Sequence, residues 1–186
     1  MQYNFMNIAK KHSKPSTSRQ NEVIYFTIGE CSLGSILVAS SVEGICCITL
    51  GDDPKLLLVD LRNRFKNAEI IGNDGNFKAI IAKIFAFVEA PQLGLDLPLD
   101  IRGTAFQRRV WQALCTIPSG STASYSYIAR MIGSPNSVRA VAGACAANSI
   151  SLAIPCHRIV RSDGHLSGYR WGIERKRNLL AREATA

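Results

Sequence analysis

The 186-residue sequence lacks any apolar run long enough to span a bilayer. Its first 20 residues are polar and carry Lys10, Lys11 and Lys14, but they lack the apolar core and cleavage site of a signal peptide. We therefore expect residues 1–20 to form a flexible leader. We also expect a cytoplasmic protein with no membrane partner.

The sequence contains no C-x-x-C pair, although it has six cysteines. A zinc site is therefore poorly supported, and we expect no metal. The chain is also long enough to build a core without disulfides. We expect five of the six to be small buried hydrophobic residues. The six are Cys31, Cys46, Cys47, Cys115, Cys145 and Cys156.

Acidic residues are scarce in the second half of the chain. Residues 101–186 carry 12 Lys and Arg, 11 of them Arg, against three acidic residues, whereas residues 1–100 carry 10 basic and 11 acidic residues. The forked guanidinium of arginine suits phosphate contacts. A basic surface that only keeps the protein in solution accounts for the charge about as well, but nucleic acid is the leading partner on electrostatic grounds.

The first half predicts a small α/β domain over residues 21–100. Short apolar runs predict three strands of an antiparallel sheet, with residues 41–44 as a hairpin turn. Apolar spacing predicts two helices, from Pro54 to about Lys66 and from Phe77 to Ala90. The predicted strands are Val23–Ile28, Ser35–Ser40 and Ile45–Leu50. Prolines and glycines over residues 91–103 then indicate a linker, which marks the domain boundary.

The second half, residues 101–186, predicts a helical domain of the winged-helix or helix-turn-helix type. Thr104 and Gln107 have the spacing of a capping box. A short helix is predicted over residues 124–133, and Ser134-Pro135 is predicted to begin another that runs through residue 147. Two short helices joined by a tight turn are typical of a helix-turn-helix, although other helical folds contain such corners.

The second helix of this pair is rich in small residues from Ala140 to Ala147. Small side chains permit close approach either to a neighbouring helix or to the wall of a DNA groove. Arg139 is the only long cation on the helix. One cation fits an arginine that enters the duplex better than base-by-base readout, which needs several polar side chains.

Cys156 and His157 are adjacent, and adjacency alone is equally compatible with a buried cysteine beside a surface histidine. In an extended segment, neighbouring side chains point to opposite faces. We therefore expect no direct thiolate–imidazolium pair, and instead a water that relays the proton between the two side chains.

A histidine base usually needs a carboxylate partner, and this half offers three. Asp163 lies in a predicted turn, whereas Glu174 and Glu183 lie on a helix predicted from Gly172 to about residue 184. Nine residues separate the two glutamates, so they project to opposite faces. Glu183 shares the side of two buried leucines. We therefore predict that Glu183 holds His157 and that Glu174 faces solvent.

The segments IPCHRIVRSDG, GYRWG and RNLLAREA resemble the signature of the O6-methylguanine-DNA methyltransferase family. The segments GTAFQRRVWQALCTIPSGSTASYSYIA and GSPNSVRAVAGACAAN resemble the same family. The stretch from Gly29 to Asp53 is particularly similar to the alkyltransferase half of bacterial Ada proteins. The resemblance covers about residues 22–184. It implies an N-terminal α/β domain beside a helical DNA-binding domain.

The resemblance implies a role for each of five candidate catalytic residues. Cys156 matches the alkyl acceptor, His157 the base that acts through water, and Glu183 its carboxylate partner. Asn148 matches the asparagine whose hydrogen bonds support the site. Tyr125 matches a tyrosine that contacts the flipped guanine.

The resemblance also implies DNA-binding and substrate-pocket residues. Arg139 matches the arginine that takes the place of the extruded base. The other implied DNA contacts are Ala140, Gly143, Ser124 and Ser162. The implied pocket residues are Tyr169, Arg170, Trp171, Pro155 and Val160. Two of these, Arg170 and Trp171, are bulkier than their counterparts in some relatives, and a narrower pocket would favour methyl over larger groups.

The implied function is direct-reversal DNA repair. A methyl group would move irreversibly from O6-methylguanine in double-stranded DNA to Cys156, once per protein molecule, without a cofactor and as a monomer. O4-methylthymine is left open as a second substrate. Two alternatives from other classes remain: a cysteine hydrolase, which needs a direct Cys–His contact, and a non-catalytic protein that binds alkylated DNA or regulates genes.

Overall fold

A computed structural model describes residues 22–72, 77–166 and 168–185, so the predicted leader over residues 1–20 lies outside the described part. The strands are β1 (Glu22–Cys31), β2 (Gly34–Ser41), β3 (Gly44–Gly51), β4 (Ala68–Gly72), β5 (Ala123–Ser124) and β6 (Ile159–Val160). The helices are α1 (Pro54–Arg64), α2 (Lys78–Glu89), α3 (Ala105–Cys115), α4 (Tyr125–Met131), α5 (Val138–Ala146) and α6 (Ile173–Ala184). Single 3₁₀ turns lie at Pro91–Leu93 and Cys156–Arg158.

The N-terminal sheet has the strand order β3-β2-β1-β4. The three predicted antiparallel strands are confirmed, because β1 pairs with β2 and β2 with β3 in that sense. The prediction of only three strands was wrong, since β4 adds a fourth strand parallel to β1. Five residues are too few for the alternation of apolar and polar side chains to reveal a strand. The mixed α/β class is confirmed.

The hairpin between β2 and β3 requires a glycine. Gly44 has φ +145°, and a Cβ atom there would lie 2.5 Å from the carbonyl oxygen of Pro98. This close approach lets Ile45 donate its N–H to Pro98 O at 2.8 Å and accept from the N–H of Asp100 at 2.8 Å. The linker after α2 is therefore held against the sheet rather than left free.

The two halves of the chain share one hydrophobic core. Ile36 and Ile48 of the sheet belong to the same buried cluster as Val110, Ile154 and Leu179 of the helical half. The predicted domain boundary near residue 100 stays a prediction. No helix in the described ranges is both long and apolar enough for a membrane crossing.

Helices α4 and α5 form the predicted helix-turn-helix pair, but α5 begins later than predicted. Gly133, at φ +69°, ends the first helix as expected. The prediction that Ser134-Pro135 starts the second helix was wrong, because the N–H of Ser137 bonds to Ser134 O at 3.0 Å and closes a turn first. The helix then runs from Val138 to Ala146.

Backbone pairing connects β3 and β5 to the segments on either side of Cys156. The N–H of Ile48 in β3 bonds to Ser149 O at 2.9 Å, and the N–H of Ser151 bonds to Ile48 O at 3.0 Å. Strand β5, just before α4, pairs in parallel with β6, just after the Cys156 turn. The site is thus fixed from both sides.

The predicted capping box is present at the start of α3, and we expect its contribution to stability to be measurable. Thr104 Oγ1 accepts from Gln107 N–H at 3.2 Å, and Gln107 Oε1 accepts from Thr104 N–H at 2.9 Å. Thr104→Ala should lower the free energy of unfolding by about 1 kcal/mol in urea denaturation. Thr122→Ala, which removes an exposed hydroxyl between α3 and β5, is the control. An equal loss in both variants would contradict the capping role.

Candidate active site around Cys156

Cys156 lies in a single 3₁₀ turn, so the prediction of an extended segment was wrong. Pro155 precedes the turn, and the N–H of Arg158 returns to Pro155 O at 3.1 Å. Cys156 and His157 therefore do not lie on opposite faces of a strand. The expectation that Cys156 and His157 form no direct pair nevertheless agrees with the structure. No hydrogen bond joins the two side chains, and within the described ranges His157 Nδ1 is buried without a partner.

Asn148 is the direct polar neighbour of the thiol. Its Nδ2 donates to Cys156 Sγ at 3.2 Å and to Ile154 O at 2.9 Å, while its Oδ1 accepts from the N–H of Ile150 at 2.9 Å. These bonds fix the orientation of the fully buried amide. A donor aimed at sulfur favours the thiolate over the thiol.

The Cys156 thiol is nevertheless protonated at neutral pH in this environment. Burial raises its pKa to about 11, and the hydrogen bond from Asn148 and the charge of Lys176 offset only part of that effect. Since the thiolate is the reactive form, a base must remove the proton when the substrate is in place.

His157 has the properties of such a base. Burial lowers its pKa, against the opposing effect of Glu183, so the imidazole is neutral at neutral pH. His157 Nε2 lies 2.9 Å from Glu183 Oε1. A carboxylate can only accept, so Nε2 carries the proton and Nδ1 is left with a free lone pair.

The carboxylate of Glu183 also binds Arg158, a residue that the sequence analysis missed. Arg158 donates from Nε to Oε2 at 3.0 Å and from Nη2 to Oε1 at 2.8 Å. Burial by itself raises the pKa of Glu183, but the bonds from His157 and Arg158 lower it to about 2. The signal available in the sequence was an arginine directly after His157, together with a single inward carboxylate.

The prediction that Glu183 rather than Glu174 faces His157 agrees with the structure. Glu183 is 4% exposed, whereas Glu174 is exposed and pairs with Arg177 on its own helix. In the sequence, the helical period distinguished the two glutamates by placing them on opposite faces of the helix.

A cavity of about 380 Å³ opens onto the thiol. This volume lies within the range of about 300–1,000 Å³ that is usual for ligand pockets. Four of the predicted site residues line it: Tyr125, Cys156, Tyr169 and Arg170. The remaining wall consists of small side chains that the sequence analysis did not assign to the pocket: Ala142, Cys145, Ala146 and Gly168.

Three predicted pocket residues do not line this cavity. Pro155 is buried where it begins the Cys156 turn, and Val160 is buried in β6. Trp171 is 5% exposed and packs edge-on against Tyr169, with ring centroids 5.0 Å apart. Trp171 therefore supports the cavity from behind Tyr169. Contacts from these three side chains to a nucleotide stay predictions.

Of the five predicted DNA-binding residues, three lie on α5, one lies at the start of α4 and one lies in the loop after β6. Arg139, Ala140 and Gly143 are exposed on α5, and no atom lies within 4 Å of a Cβ built on Gly143. Ser162 is exposed in the loop after β6. Ser124 is instead the N-cap of α4, since its Oγ accepts from the N–H of Tyr127 at 3.1 Å. Their contacts with DNA stay predictions.

Comparison with known proteins gives consistent similarities. The family model described as 6-O-methylguanine DNA methyltransferase, DNA binding domain, matches residues 105–185. The inducible methylated-DNA–protein-cysteine methyltransferase of Bacillus subtilis is 37% identical over 150 residues, which cover 80% of this chain and 84% of that protein. A crystal structure of Mycobacterium tuberculosis OGT in complex with DNA superposes with TM-score 0.74 at 34% identity, over 87% of this chain and 93% of that one.

A longer relative is also similar. The bifunctional transcriptional activator and DNA repair enzyme Ada of Escherichia coli is 51% identical over 165 residues, or 89% of this chain. The match covers 47% of that protein, so the chain spans about half its length.

The depressed pKa of Glu183 makes a prediction about stability and pH. A carboxylate with pKa about 2 when folded, against 4.5 ordinarily, stabilises the fold above pH 4.5 and loses that effect as pH falls toward 2. Glu183→Gln should therefore be less stable than the wild type at pH 7, and the difference should shrink over this window. Urea denaturation at several pH values measures it. Glu174→Gln, on the exposed face, should differ little throughout, and a pH-independent Glu183→Gln difference would refute the assignment.

Proposed function

Because the chain belongs to the methylated-DNA–protein-cysteine methyltransferase family, we propose that it repairs DNA by moving an alkyl group from O6 of guanine to its own Cys156. The observation that carries the proposal is a thiol that lines a cavity and accepts a hydrogen bond from Asn148. The neutral His157, which Glu183 orients, lies next to it in the chain and can act as its base. O6-methylguanine in duplex DNA is the proposed substrate, with O4-methylthymine as a further candidate.

The damaged base must leave the helix before it can reach the cavity. Extrusion costs a few kcal/mol, and phosphate contacts from the arginine-rich half supply affinity that does not depend on sequence. Arg139 lies exposed in the first turn of α5, where its side chain can enter the space that the base vacates. Small exposed residues beside it permit close approach to the groove.

The transfer is a single displacement at the alkyl carbon. The thiol proton passes to His157 Nδ1 through a water, and the sulfur forms a bond to carbon while the bond between carbon and O6 breaks. The electron pair of that bond stays on guanine, and the Tyr125 hydroxyl donates the proton that neutralises it. Tyr125 lines the same cavity as Cys156, which supports this role.

The product explains why the reaction would occur once per molecule. A thioether has no acidic proton and no easy hydrolytic route back to the thiol. The alkyl group comes from the DNA itself, so the reaction as proposed uses no cofactor. We propose that the protein acts as a monomer in the cytoplasm, on chromosomal DNA.

Transfer to one cysteine should be visible by peptide mass spectrometry. After incubation with an O6-methylguanine duplex, we expect one added methyl group on the Cys156 peptide, at about one per protein molecule. Cys156→Ala should gain none. Cys145→Ala is the matched control, because Cys145 lines the same cavity, and it should still be methylated at Cys156. Repeated turnover, or bound DNA beside an unmodified Cys156, would sink the proposal and favour hydrolase or pure binding activity.

The extrusion role of Arg139 predicts a difference between substrates. Arg139→Ala should slow transfer from duplex DNA by roughly ten-fold or more and leave transfer from free O6-methylguanine base little changed. Arg130→Ala removes the same charge from an exposed position on α4 and should have a smaller effect on the duplex. Single-turnover rates measure both. Equal loss on the two substrates would remove the extrusion role.

A further inference from the structure

Arg170 lines the cavity and is held from two directions. Its Nη2 donates to Asp60 Oδ1 at 2.9 Å, and its Nη1 donates to Ala146 O at 3.5 Å. Ala146 lies at the end of α5 and also lines the cavity. The guanidinium therefore bridges the end of α5 and α1, a helix of the N-terminal half.

Asp60 is well placed to fix this arginine. It lies on α1 between Leu57 and Leu61, which are both buried in the N-terminal core. Its second oxygen, Oδ2, accepts from Arg64 one turn further along at 3.4 Å. The backbone of Asp60 is thus anchored by packing, and its carboxylate is oriented from its own helix.

Of these two hydrogen bonds of Arg170, the one with Asp60 is the stronger. It is a charge-assisted bond at ordinary length, whereas the bond to Ala146 lies at the distance limit. A long arginine side chain loses much rotational freedom when it is fixed, so a single weak contact does not hold it in place. Loss of Asp60 would therefore leave Arg170 with only the weaker contact.

We propose that Asp60 is a positioning residue that holds Arg170 across the mouth of the cavity and thereby limits the size of the alkyl group that can enter. The inference rests on the proposed function of the Cys156 site. A methyl group passes under the fixed guanidinium, while a larger group has to displace it. A residue of the N-terminal half thus takes part in substrate selection by the other half.

A second ion pair between the halves provides a matched control. Arg175, at the start of α6, pairs with Asp52 of the segment after β3. Like the Asp60 pair, it joins the two halves, and its Asp52 carboxylate is almost fully exposed, so neither pair should contribute much to stability. Arg175 and Asp52 do not line the cavity. Only the Asp60 pair should therefore affect which substrate is accepted.

The test compares single-turnover rates of transfer from two duplexes, one with O6-methylguanine and one with O6-benzylguanine. The ratio of the benzyl rate to the methyl rate is the readout, because a merely structural loss lowers both rates together. We expect Arg170→Ala to raise this ratio by roughly ten-fold. Asp60→Ala should raise it by roughly three-fold, because a solvent-accessible ion pair only partly determines where the arginine lies. The double variant should match Arg170→Ala alone, because Asp60 acts only through the arginine. Asp52→Ala should keep the wild-type ratio.

Three results would overturn the inference: an unchanged ratio in Asp60→Ala, effects of the two substitutions that add, or an equal rise in Asp52→Ala. Thermal unfolding of each variant confirms that it is folded. Wild-type protein that transfers no methyl group to Cys156 would instead overturn the proposed function. Methyl transfer by the wild type with an unmoved ratio would overturn only the role of Asp60.

Discussion

The buried carboxylate of Glu183 is the interaction on which the rest of the site depends. It accepts from both Arg158 and His157, and all three side chains are removed from solvent. Burying one charge alone would be costly, so the carboxylate requires the guanidinium and the guanidinium requires the carboxylate. Burial keeps the imidazole uncharged by lowering its pKa, with one nitrogen protonated and the other able to accept. The same contact joins α6 to the Cys156 turn.

The buried Cys156 thiol is held in its protonated, less reactive form. Burial raises the pKa of Cys156 to about 11, so the thiolate, which is the reactive form, is scarce at neutral pH. Asn148 donates to the sulfur and so lowers the cost of forming negative charge there. In the proposed reaction the cysteine would be used once, so a thiol that ionises only when substrate is bound would be protected from side reactions.

Features that depend on local periodicity could be predicted from the sequence. The helical face of Glu183, the capping box at Thr104 and the three antiparallel strands are of this kind, since each follows from residue spacing. Features that arise from distant contacts could not. The pairing of β4 with β1, the pairing of Arg158 with Glu183 and the pairing of Asp60 with Arg170 join residues far apart in sequence. The roles of Cys156 and Arg139 came from family resemblance, because adjacency and charge alone are equally compatible with a structural cysteine and a solvated basic surface.

The central claim is that His157, oriented by Glu183, supplies the base that a buried thiol needs. The most direct measurement is the pH profile of methyl transfer from free O6-methylguanine base by the wild type and by His157→Gln. At pH 7.5 the variant should be slower by at least about 100-fold, the usual contribution of a general base. The gap should close as pH approaches 11, where Cys156 ionises without help. Equal rates at pH 7.5, or a constant gap up to pH 11, would contradict the account.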